Sequence, residues 1–311
     1  MIDNNKCDVI IVTYNSASDI EMCINSIIAF SKTYIGKIIV IDNASADNSG
    51  DIIQKISEEQ TNLEVIFNTI NMGFSMGNNQ GLSLIDSKYV LFLNPDTLFK
   101  MDIIGNFLER LSNDYSIGVI GPALLRPDGS IQGGFGKMPT LQSTIFEFIR
   151  SGRRWSPLGF AEKINNDLET DWVSGGCLFS RTALVKTIGG FDENIFMYAE
   201  DVDLCLRIKE LGYKVLYVPD QSIVHFGGSS QRQNREKSLI ANIQSRMYIL
   251  QKYYSTKKAV QLRRFLLVFV FIKMIISCIL CLFGSRYSSI AKAYKEALLY
   301  LVNRKPVQET R

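Results

Sequence analysis

The sequence predicts an α/β fold with a mostly parallel central sheet, followed by a helical C-terminal region. Short apolar runs alternate with segments of helical spacing, as expected for βαβ units and a doubly wound sheet. A long apolar segment, Phe265–Phe283, sets the C-terminal region apart. The chain has 311 residues, of which 46% are hydrophobic and 21% charged, so it can bury a large core in one large or two smaller domains.

The first strand is predicted at Asp8–Thr13, a continuous apolar run of the kind that a sheet buries on both faces. Ser18 is expected to cap the next helix, in which Ile20, Ile24 and Ile27 recur at helical spacing. The alternation continues with strands at Lys37–Ile41, Leu63–Phe67, Tyr89–Leu93 and Ile117–Gly121, and with helices at Ser49–Ile56 and Ser75–Ile85.

The pattern changes after residue 121. A hairpin is predicted at Leu124–Gln132, with its turn at Pro127-Asp128-Gly129, and an irregular segment over residues 133–170. Beyond it we expect a strand at Trp172–Ser180, helices at Arg181–Ile188 and Asp201–Leu211, and closing strands at Lys214–Val218 and Ser222–Phe226. The chain is therefore expected to form one domain over residues 1–235 and a helical region over residues 236–311.

Polar side chains stand where three predicted strands stop, at Thr13–Asn15, Asp42–Asn43 and Asn94–Asp96. In parallel α/β sheets, ligands bind beyond the carboxyl ends of the strands. The spacing alone therefore predicts a ligand site at this edge of the sheet.

An acidic segment follows at Gly189–Asp203, where five carboxylates fall within twelve positions: Asp192, Glu193, Glu200, Asp201 and Asp203. A solvated acidic loop is one explanation. However, the apolar residues at 191 and 195–198 are expected to pull the segment against the body of the protein. Carboxylates held in a partly dry cleft are suited to general-base catalysis or to metal binding.

Together these motifs resemble family 2 glycosyltransferases, the nucleotide-sugar-dependent inverting class with the Rossmann-like GT-A fold. Among them they are most similar to bacterial rhamnosyltransferases of O-antigen and related surface polysaccharides. The matching motifs cover residues 7 to 230 in the correct order: VTYN at Val12–Asn15, IDNAS at Ile41–Ser45, NMGFSMGNNQG at Asn71–Gly81, LNPDT at Leu93–Thr97, GGC at Gly175–Cys177, GGFDE at Gly189–Glu193, AEDVDLCLR at Ala199–Arg207 and VHFGGSS at Val224–Ser230.

The resemblance implies a nucleotide-sugar donor site. It assigns Asp42 to the nucleotide base, although a turn cap is the alternative role for this carboxylate. The backbone N–H groups of the loop that leads into the helix after residue 71 could face the phosphates or the donor sugar. The donor-binding residues are expected to be Thr13, Tyr14, Asn15, Asp42, Asn43, Asn71, Gly73, Phe74, Asn78, Asn94 and Asp96.

The resemblance also implies a divalent cation, Mg²⁺ or Mn²⁺, at the diphosphate. The family usually carries Asp-x-Asp, but here the string is Asn94-Pro95-Asp96, so the first carboxylate is an amide that adds no charge. His225, the only histidine, is the expected further ligand, although a lone histidine can also be purely structural. The predicted metal ligands are Asp96, His225 and Asn94.

For catalysis, Asp201 matches the general base of the family, at the start of a predicted helix whose dipole would stabilise its anion. Glu200 is the alternative base or a residue that orients the acceptor. With one carboxylate assigned to the chemistry, an inverting single displacement is expected.

The expected function is transfer of a sugar, L-rhamnose from dTDP-rhamnose, to a lipid-linked glycan. Another sugar, such as galactofuranose, glucose or an N-acetylhexosamine, or a non-catalytic scaffold role remain alternatives. A net charge of +3 is too small to indicate nucleic acid as a partner. No secretory signal is recognised, and the one paired cysteine spacing, Cys278–Cys281, lies inside an apolar run where small hydrophobic residues are expected to pack, so reduced thiols and a cytoplasmic location are expected.

The apolar segment 265–283 has basic residues on both sides, among them Arg263, Arg264, Arg286 and Lys292. These flanks favour association with the anionic inner face of the cytoplasmic membrane. The segment is long enough to span a bilayer, but an in-plane anchor and a buried core helix are also compatible with the sequence.

Overall fold

The computed structural model describes residues 6–150, 164–227, 234–282, 284 and 287–303. The chain forms two compact units. The first comprises Met1–Met138, Trp155–Phe196 and Glu200–Gly227, and the second, the helical unit, comprises Pro139–Arg154, Met197–Ala199 and Gly228–Arg311. The sequence-based boundary at residue 235 stays a prediction.

The first unit is built on a ten-stranded sheet, and its first half is parallel as predicted. The strands are β1 (Cys7–Thr13), β2 (Ile35–Asp42), β3 (Leu63–Phe67), β4 (Tyr89–Leu93), β5 (Thr97–Phe99), β6 (Ile117–Leu125), β7 (Ile131–Gly133), β8 (Phe135–Gly136), β9 (Leu168–Thr170), β10 (Trp172–Val173), β11 (Cys177–Arg181) and β12 (Lys214–His225).

The strand order of the large sheet is β3-β2-β1-β4-β11-β6-β12-β5, with β7 added to β6 and β9 added to β12, and β8 and β10 form a separate pair. Strands β3, β2, β1 and β4 run parallel, whereas β11 lies antiparallel between β4 and β6.

The helices of the described residues divide between the two units. Those of the first unit are α1 (Ile20–Ser31), α2 (Ser49–Glu59), α3 (Phe74–Leu82), α4 (Ile104–Asn113), α6 (Thr182–Thr187) and α7 (Glu200–Glu210). Those of the helical unit are α5 (Leu141–Ile149), α8 (Arg235–Tyr253), α9 (Thr256–Cys281) and α10 (Ser288–Asn303).

Strand β1 is covered on both faces, which explains its continuous apolar run. Val9 and Ile11 belong to the same core cluster as Ile24 and Ile27 of α1. On the other face, α3 approaches so closely that a Cβ at Gly81 would lie 2.6 Å from the Ile10 side chain. A strand with packed helices on both sides must be apolar at every position.

Ser18 does not cap α1, so this prediction was wrong. Its hydroxyl donates instead to the Asp19 carboxylate at 2.8 Å, and the N-terminal residue Asp19 makes no side-chain cap bond. The Ser16 carbonyl already accepts from the backbone N–H groups of Asp19 and Ile20 at 2.9 and 3.0 Å. This backbone turn therefore supplies an acceptor for N–H groups at the start of the helix, which a side-chain cap would otherwise bond.

Other boundaries differ where contacts distant in sequence decide them. The strand predicted at Trp172–Ser180 is interrupted, because the Ser174 N–H donates to the Gly134 carbonyl and a turn follows. The two closing strands form one strand, β12, with a register shift between Val218 and Ser222. The segment 133–170 is not wholly irregular, since it contains β8, α5 and β9; its residues 151–163 lie outside the described residues.

The helical unit has a core of its own. Phe148 of α5 packs with apolar side chains of three longer helices: Ile243, Met247, Leu250, Leu262, Leu266, Val270, Ala297 and Leu301. Beside it, the buried Arg246 and the half-buried Glu147 form an ion pair at 2.8 Å. Within the described residues, α9 is long and apolar enough to cross a membrane.

Candidate active site

The polar residues that follow the predicted strands do meet at one edge of the sheet. Thr13, the last residue of β1, pairs with Asp42, the last of β2, and Ile11 pairs with Leu93 at the end of β4. His225 ends β12 and pairs with Thr97 of β5, three residues after Asn94. The carboxyl ends of these strands therefore converge, as the parallel arrangement requires.

Asp96, His225 and Asn94 form one polar cluster at this edge. The His225 Nε2 atom lies 3.2 Å from Asp96 Oδ1 and 3.4 Å from Asn94 Nδ2. Asp96 is 5% exposed. Burial alone would raise the pKa of the Asp96 carboxyl, but the hydrogen bond and charge interaction with His225, and the Gly227 N–H group, hold this pKa below its ordinary value. The carboxylate is therefore ionised at neutral pH.

Gln132 orients the His225 ring and was not found from the sequence. Its Oε1 lies 2.5 Å from His225 Nδ1, so Nδ1–H donates to Gln132 and Nε2 faces Asp96. Gly227 adopts a left-handed conformation, with φ of 63°, and packs against this pair. A Cβ there would lie 2.6 Å from the Gln132 amide nitrogen, so glycine is required. Residues 228–230 of the VHFGGSS motif lie outside the described residues.

The cluster is suited to a divalent cation that a diphosphate helps to hold. Among the described residues, no group of three or more His, Cys, Asp and Glu side chains could hold a metal by itself. An imidazole that lies 3.2 Å from a carboxylate and 3.4 Å from an amide is nevertheless part of a fitting ligand set. Mg²⁺ is commonly held by one or two carboxylates together with substrate phosphates.

A short segment that contains Gly175 and Gly176 connects Asp201 to this cluster. Its Oδ2 accepts from the Gly175 N–H at 2.9 Å, and its Oδ1 accepts from the Val202 N–H at 2.9 Å. The next residue, Gly176, bonds through its carbonyl to the Asn94 N–H, and a Cβ on it would lie 3.7 Å from His225 Nε2. Segment 174–176, between β10 and β11, thus joins the predicted base to the predicted metal ligands.

The acidic segment is anchored, so the solvated-loop explanation fails for its C-terminal half. Glu200, Asp201 and Asp203 are buried in the first turn of α7, whereas Glu193 is exposed. Asp203 accepts from Arg207 Nε at 2.7 Å.

Two side chains that were not predicted as site residues, those of Arg207 and Asn79, hold this segment in place. The guanidinium of Arg207 also donates to the carbonyls of Ile188 and Gly190 at 2.8 and 2.7 Å. Asn79 of α3 bonds both backbone groups of Phe191, at 2.8 and 2.9 Å. Both residues lie in motifs that the sequence singled out, but nothing in the motif indicates which side chain bonds which carbonyl.

The backbone just before Glu200 is strained. Tyr198 and Ala199 both have positive φ, 71° and 66°, a conformation that residues other than glycine rarely adopt. Such strain is commonly held at functional sites.

Asp42 caps the turn that follows it, which the sequence had offered as the alternative to a role in binding the nucleotide base. Its two oxygens accept from the hydroxyl and the N–H of Ser45, at 2.5 and 3.1 Å. The same hydroxyl accepts from the Asn15 N–H at 2.8 Å, and Asn15 Oδ1 accepts from the Ala46 N–H at 2.7 Å. The turns after β1 and β2 are thus interlocked, and Ser45 fixes the orientation of Asp42.

The remaining predicted donor residues surround these turns. Asn43 donates to the Gly73 carbonyl at 2.9 Å, and Asn71 accepts from the Gly73 N–H at 2.9 Å. Gly73 has φ of 88°, and a Cβ on it would lie 2.6 Å from Phe196, so the close approach of this turn requires glycine. The Phe74 ring lies near Gly175, where a Cβ would be 3.6 Å away.

Two buried polar atoms in this region lack a hydrogen-bond partner within the described structure. They are Thr13 Oγ1 and Asn78 Oδ1, although the Asn78 amide nitrogen donates to Phe74. Tyr14, which follows Thr13, is half-buried. Unpartnered buried polar atoms are costly, so they commonly mark positions where a ligand or water completes the bonding.

Comparison with known proteins identifies the family to which the chain belongs. Residues 8–187 match the profile of glycosyl transferase family 2, and residues 160–302 match that of glycosyl transferase family group 2. The chain is 25% identical over 270 residues to N-acetylglucosaminyl-diphospho-decaprenol L-rhamnosyltransferase of Mycobacterium tuberculosis, covering 79% of this chain and 84% of the relative. It is 26% identical over 267 residues to the rhamnosyltransferase WbbL of Escherichia coli K12, covering 83% and 96%.

A solved structure shows the same fold. The mannosyltransferase PcManGT from Pyrobaculum calidifontis, in complex with GDP-Man and Mn²⁺, superposes with a TM-score of 0.55 at 15% identity, covering 96% of this chain and 87% of that chain. With the profile match over more than half of the chain, the sheet order and the converging site residues, the chain belongs to glycosyl transferase family 2 and is a GT-A glycosyltransferase similar to bacterial rhamnosyltransferases.

Proposed function

We propose that this protein transfers L-rhamnose from dTDP-rhamnose to a lipid-linked glycan in the synthesis of a bacterial surface polysaccharide such as O-antigen. One observation carries the proposal: a buried carboxylate, Asp201, is joined through Gly175 and Gly176 to the Asn94–Asp96–His225 cluster. Two relatives named as rhamnosyltransferases, one of them acting on a diphospho-decaprenol-linked sugar, support this donor and acceptor.

In the proposed reaction, an acceptor hydroxyl attacks the anomeric carbon of the donor sugar. The new C–O bond forms as the bond from that carbon to the diphosphate oxygen breaks, and the nucleoside diphosphate leaves with the electron pair. Asp201 accepts the hydroxyl proton. Because the attack and the departure occur in a single displacement, the anomeric configuration is inverted.

The fixed surroundings of Asp201 support its role as the base. Each carboxylate oxygen accepts one backbone N–H, from Gly175 or Val202, and these two bonds fix the orientation of the carboxylate. It lies in the first turn of α7, at the N-terminal end of that helix. Glu200, also buried, remains the alternative base or an acceptor-orienting residue.

The leaving diphosphate needs positive charge beside it. Asp96, His225 and Asn94 would hold Mg²⁺ or Mn²⁺, and the cation would stabilise the negative charge that develops on the leaving group. Gln132 would keep Nε2 of His225 directed at this site, since Nδ1 is engaged.

The nucleoside is proposed to lie over the interlocked turns after β1 and β2. Asp42, oriented by Ser45, would accept from the base or the ribose, and Thr13 Oγ1 and Asn78 Oδ1 would gain partners on donor binding. Tyr14, Asn15 and Asn43 belong to the same proposed pocket, as do Asn71, Gly73 and Phe74 from the turn before α3. The reaction is proposed to take place at the inner face of the cytoplasmic membrane, where a lipid-linked acceptor is held.

A donor screen tests the assignment of the sugar. The purified protein is incubated with a lipid-linked acceptor and, separately, with dTDP-L-rhamnose, UDP-galactofuranose, UDP-glucose and UDP-N-acetylglucosamine, and products are measured by mass spectrometry. We expect a mass increase of one deoxyhexose with dTDP-L-rhamnose, and about 100-fold less product or lower still from Asp201→Asn in the same time. Transfer of another sugar would leave the enzyme class intact but overturn rhamnose as the donor sugar.

A further inference from the structure

Helix α9 of the helical unit carries a continuous apolar stripe on its solvent side. Val268, Ile272, Ile275, Ile279 and Leu282 are 62%, 50%, 41%, 53% and 83% exposed. They recur every three or four residues, so they lie on one face of the helix, and Phe271 and Ile276, also exposed, widen it. Single exposed apolar residues are normal on protein surfaces, but a continuous stripe of this kind marks an interaction surface.

The opposite face of α9 is committed to the core of the helical unit. Leu262, Leu266 and Val270 are at most 1% exposed and pack in the core cluster shared with α8 and α10. If α9 crossed a bilayer, these contacts would have to separate, or α8 with its charged residues would have to enter hydrocarbon, where such groups are costly. The packing therefore favours a helix that keeps its inner face on the protein.

The solvent-side face is basic where it begins. Lys257, Lys258 and Arg264 are exposed, and at 100° per residue they point to the same side of the helix as Ile272. Arg263 points away and bonds the Leu301 carbonyl at the C-terminal end of α10, at 2.7 and 3.0 Å. The exposed cations of α9 thus lie at one end of the apolar stripe, whereas the half-buried Lys273 lies beside its middle, with its ammonium group over the Phe269 ring.

The dimensions of the stripe suit a surface and not a span. From residue 268 to residue 282 the helix rises about 21 Å, which is short of a hydrocarbon core of about 30 Å. Extending the stripe toward the N-terminus would bring Arg264 into the hydrocarbon.

We propose that this face of α9, with its basic end at Lys257, Lys258 and Arg264 and its apolar stripe over residues 268–282, docks in the plane of an anionic lipid bilayer. The apolar side chains enter the boundary between headgroups and acyl chains, and the basic side chains lie against the lipid phosphates. The occupant is the lipid surface itself, because the face combines apolar area with positive charge. The inference does not depend on the sugar or on the catalytic roles proposed above.

The test uses the purified full-length protein and preformed vesicles of phosphatidylcholine, with and without phosphatidylglycerol. We expect the protein to float with the vesicles that contain phosphatidylglycerol, to bind the zwitterionic vesicles more weakly, and to be released by alkaline carbonate. Carbonate-resistant association would show a spanning helix and overturn the in-plane arrangement.

Two sets of variants identify the surface. Ile272→Ser with Ile276→Ser should lower the partition coefficient about tenfold or more, since two half-exposed apolar side chains no longer enter the bilayer. Lys257→Glu with Lys258→Glu should lower binding to anionic vesicles by about fivefold or more per residue and leave binding to zwitterionic vesicles unchanged. The matched control is Leu211→Ser, a 52% exposed leucine of the first unit, which should bind as the wild type does.

Circular dichroism and transfer to a soluble acceptor analogue show whether each variant is folded. Should the first double variant unfold, Val268→Ser with Ile279→Ser tests the same stripe. Wild-type protein that stays in the dense fraction would overturn the proposal. So would a dimer in light scattering that Ile272→Ser with Ile276→Ser dissociates, because the stripe would then be covered by a second copy.

Discussion

Replacing Asp201 by asparagine separates the chemistry from donor binding. A general base contributes about 10²- to 10⁴-fold to a rate, which corresponds to about 3–5 kcal/mol of activation free energy. We expect kcat to fall by this factor, because the amide cannot accept the acceptor proton. The affinity for dTDP should change by no more than a few-fold, since Asp201 acts on the acceptor.

The structure also predicts a modest loss of stability in this variant. The carboxylate accepts one N–H on each oxygen, from Gly175 and from Val202, whereas an asparagine offers one oxygen. One buried N–H is left without a partner, at a cost of about 1–3 kcal/mol. Thermal unfolding should therefore shift down by several degrees while the protein remains folded at assay temperature.

The assay combines steady-state transfer rates with titration calorimetry of dTDP binding. Two controls accompany it: Asp192→Asn, which removes a carboxylate outside α7 and should leave the rate within about twofold, and Glu200→Gln. If Asp201→Asn turns over at a near-normal rate while Glu200→Gln does not, Asp201 is not the base and Glu200 replaces it.

Three further predictions follow from the contacts. Transfer should require Mg²⁺ or Mn²⁺ and stop in EDTA, and Asn94→Asp should tighten metal binding because it adds a charge to the ligand set; full activity in EDTA would contradict the metal site. Gln132→Ala should weaken Mn²⁺ binding, measured by calorimetry, by about 10- to 100-fold, because the His225 ring loses the hydrogen bond that orients it. An unchanged Mn²⁺ affinity would show that His225 is not a metal ligand. Asp8→Ala should lower the free energy of unfolding in urea by about 2–4 kcal/mol. The buried Asp8 carboxylate accepts four hydrogen bonds, from the N–H groups of Lys37, Asp86 and Ser87 and from the Ser87 hydroxyl. A loss of stability no larger than that of Ser87→Ala would refute this prediction.

The elements that the sequence predicted well are those whose partners are nearby or whose faces are uniformly buried. Strand β1 has no polar position between Val9 and Val12, because α1 covers one face and α3 the other. The meeting of the polar residues at one edge of the sheet was predicted in a similar way. Parallel strands joined by βαβ connections have their carboxyl ends at the same edge of the sheet.

Prediction failed where a contact distant in sequence decided the local structure. Ser18 has the chemistry of a helix cap, but the Ser16 carbonyl already accepts the first N–H groups of the turn. Strand 172–180 breaks because Ser174 bonds Gly134, about forty residues away in the chain, and no local pattern reports that bond.

The predicted site residues do assemble, but their supporting contacts could not be read from the sequence. Gln132 meets His225 only because β7 pairs beside β6, which in turn pairs with β12. Ser45 lies in the IDNAS motif, yet only the fold shows that its hydroxyl links Asp42 to Asn15. The roles proposed for the donor and metal residues stay predictions that the variants above test.

The anomeric configuration of the product tests the central claim most directly. The isolated product of the wild-type enzyme is compared with the donor by NMR, through the one-bond carbon–proton coupling at the anomeric position. A single displacement with Asp201 as base predicts complete inversion. Retention of configuration would contradict the account, because it requires a second displacement and a nucleophile that the Asp201 site does not assign.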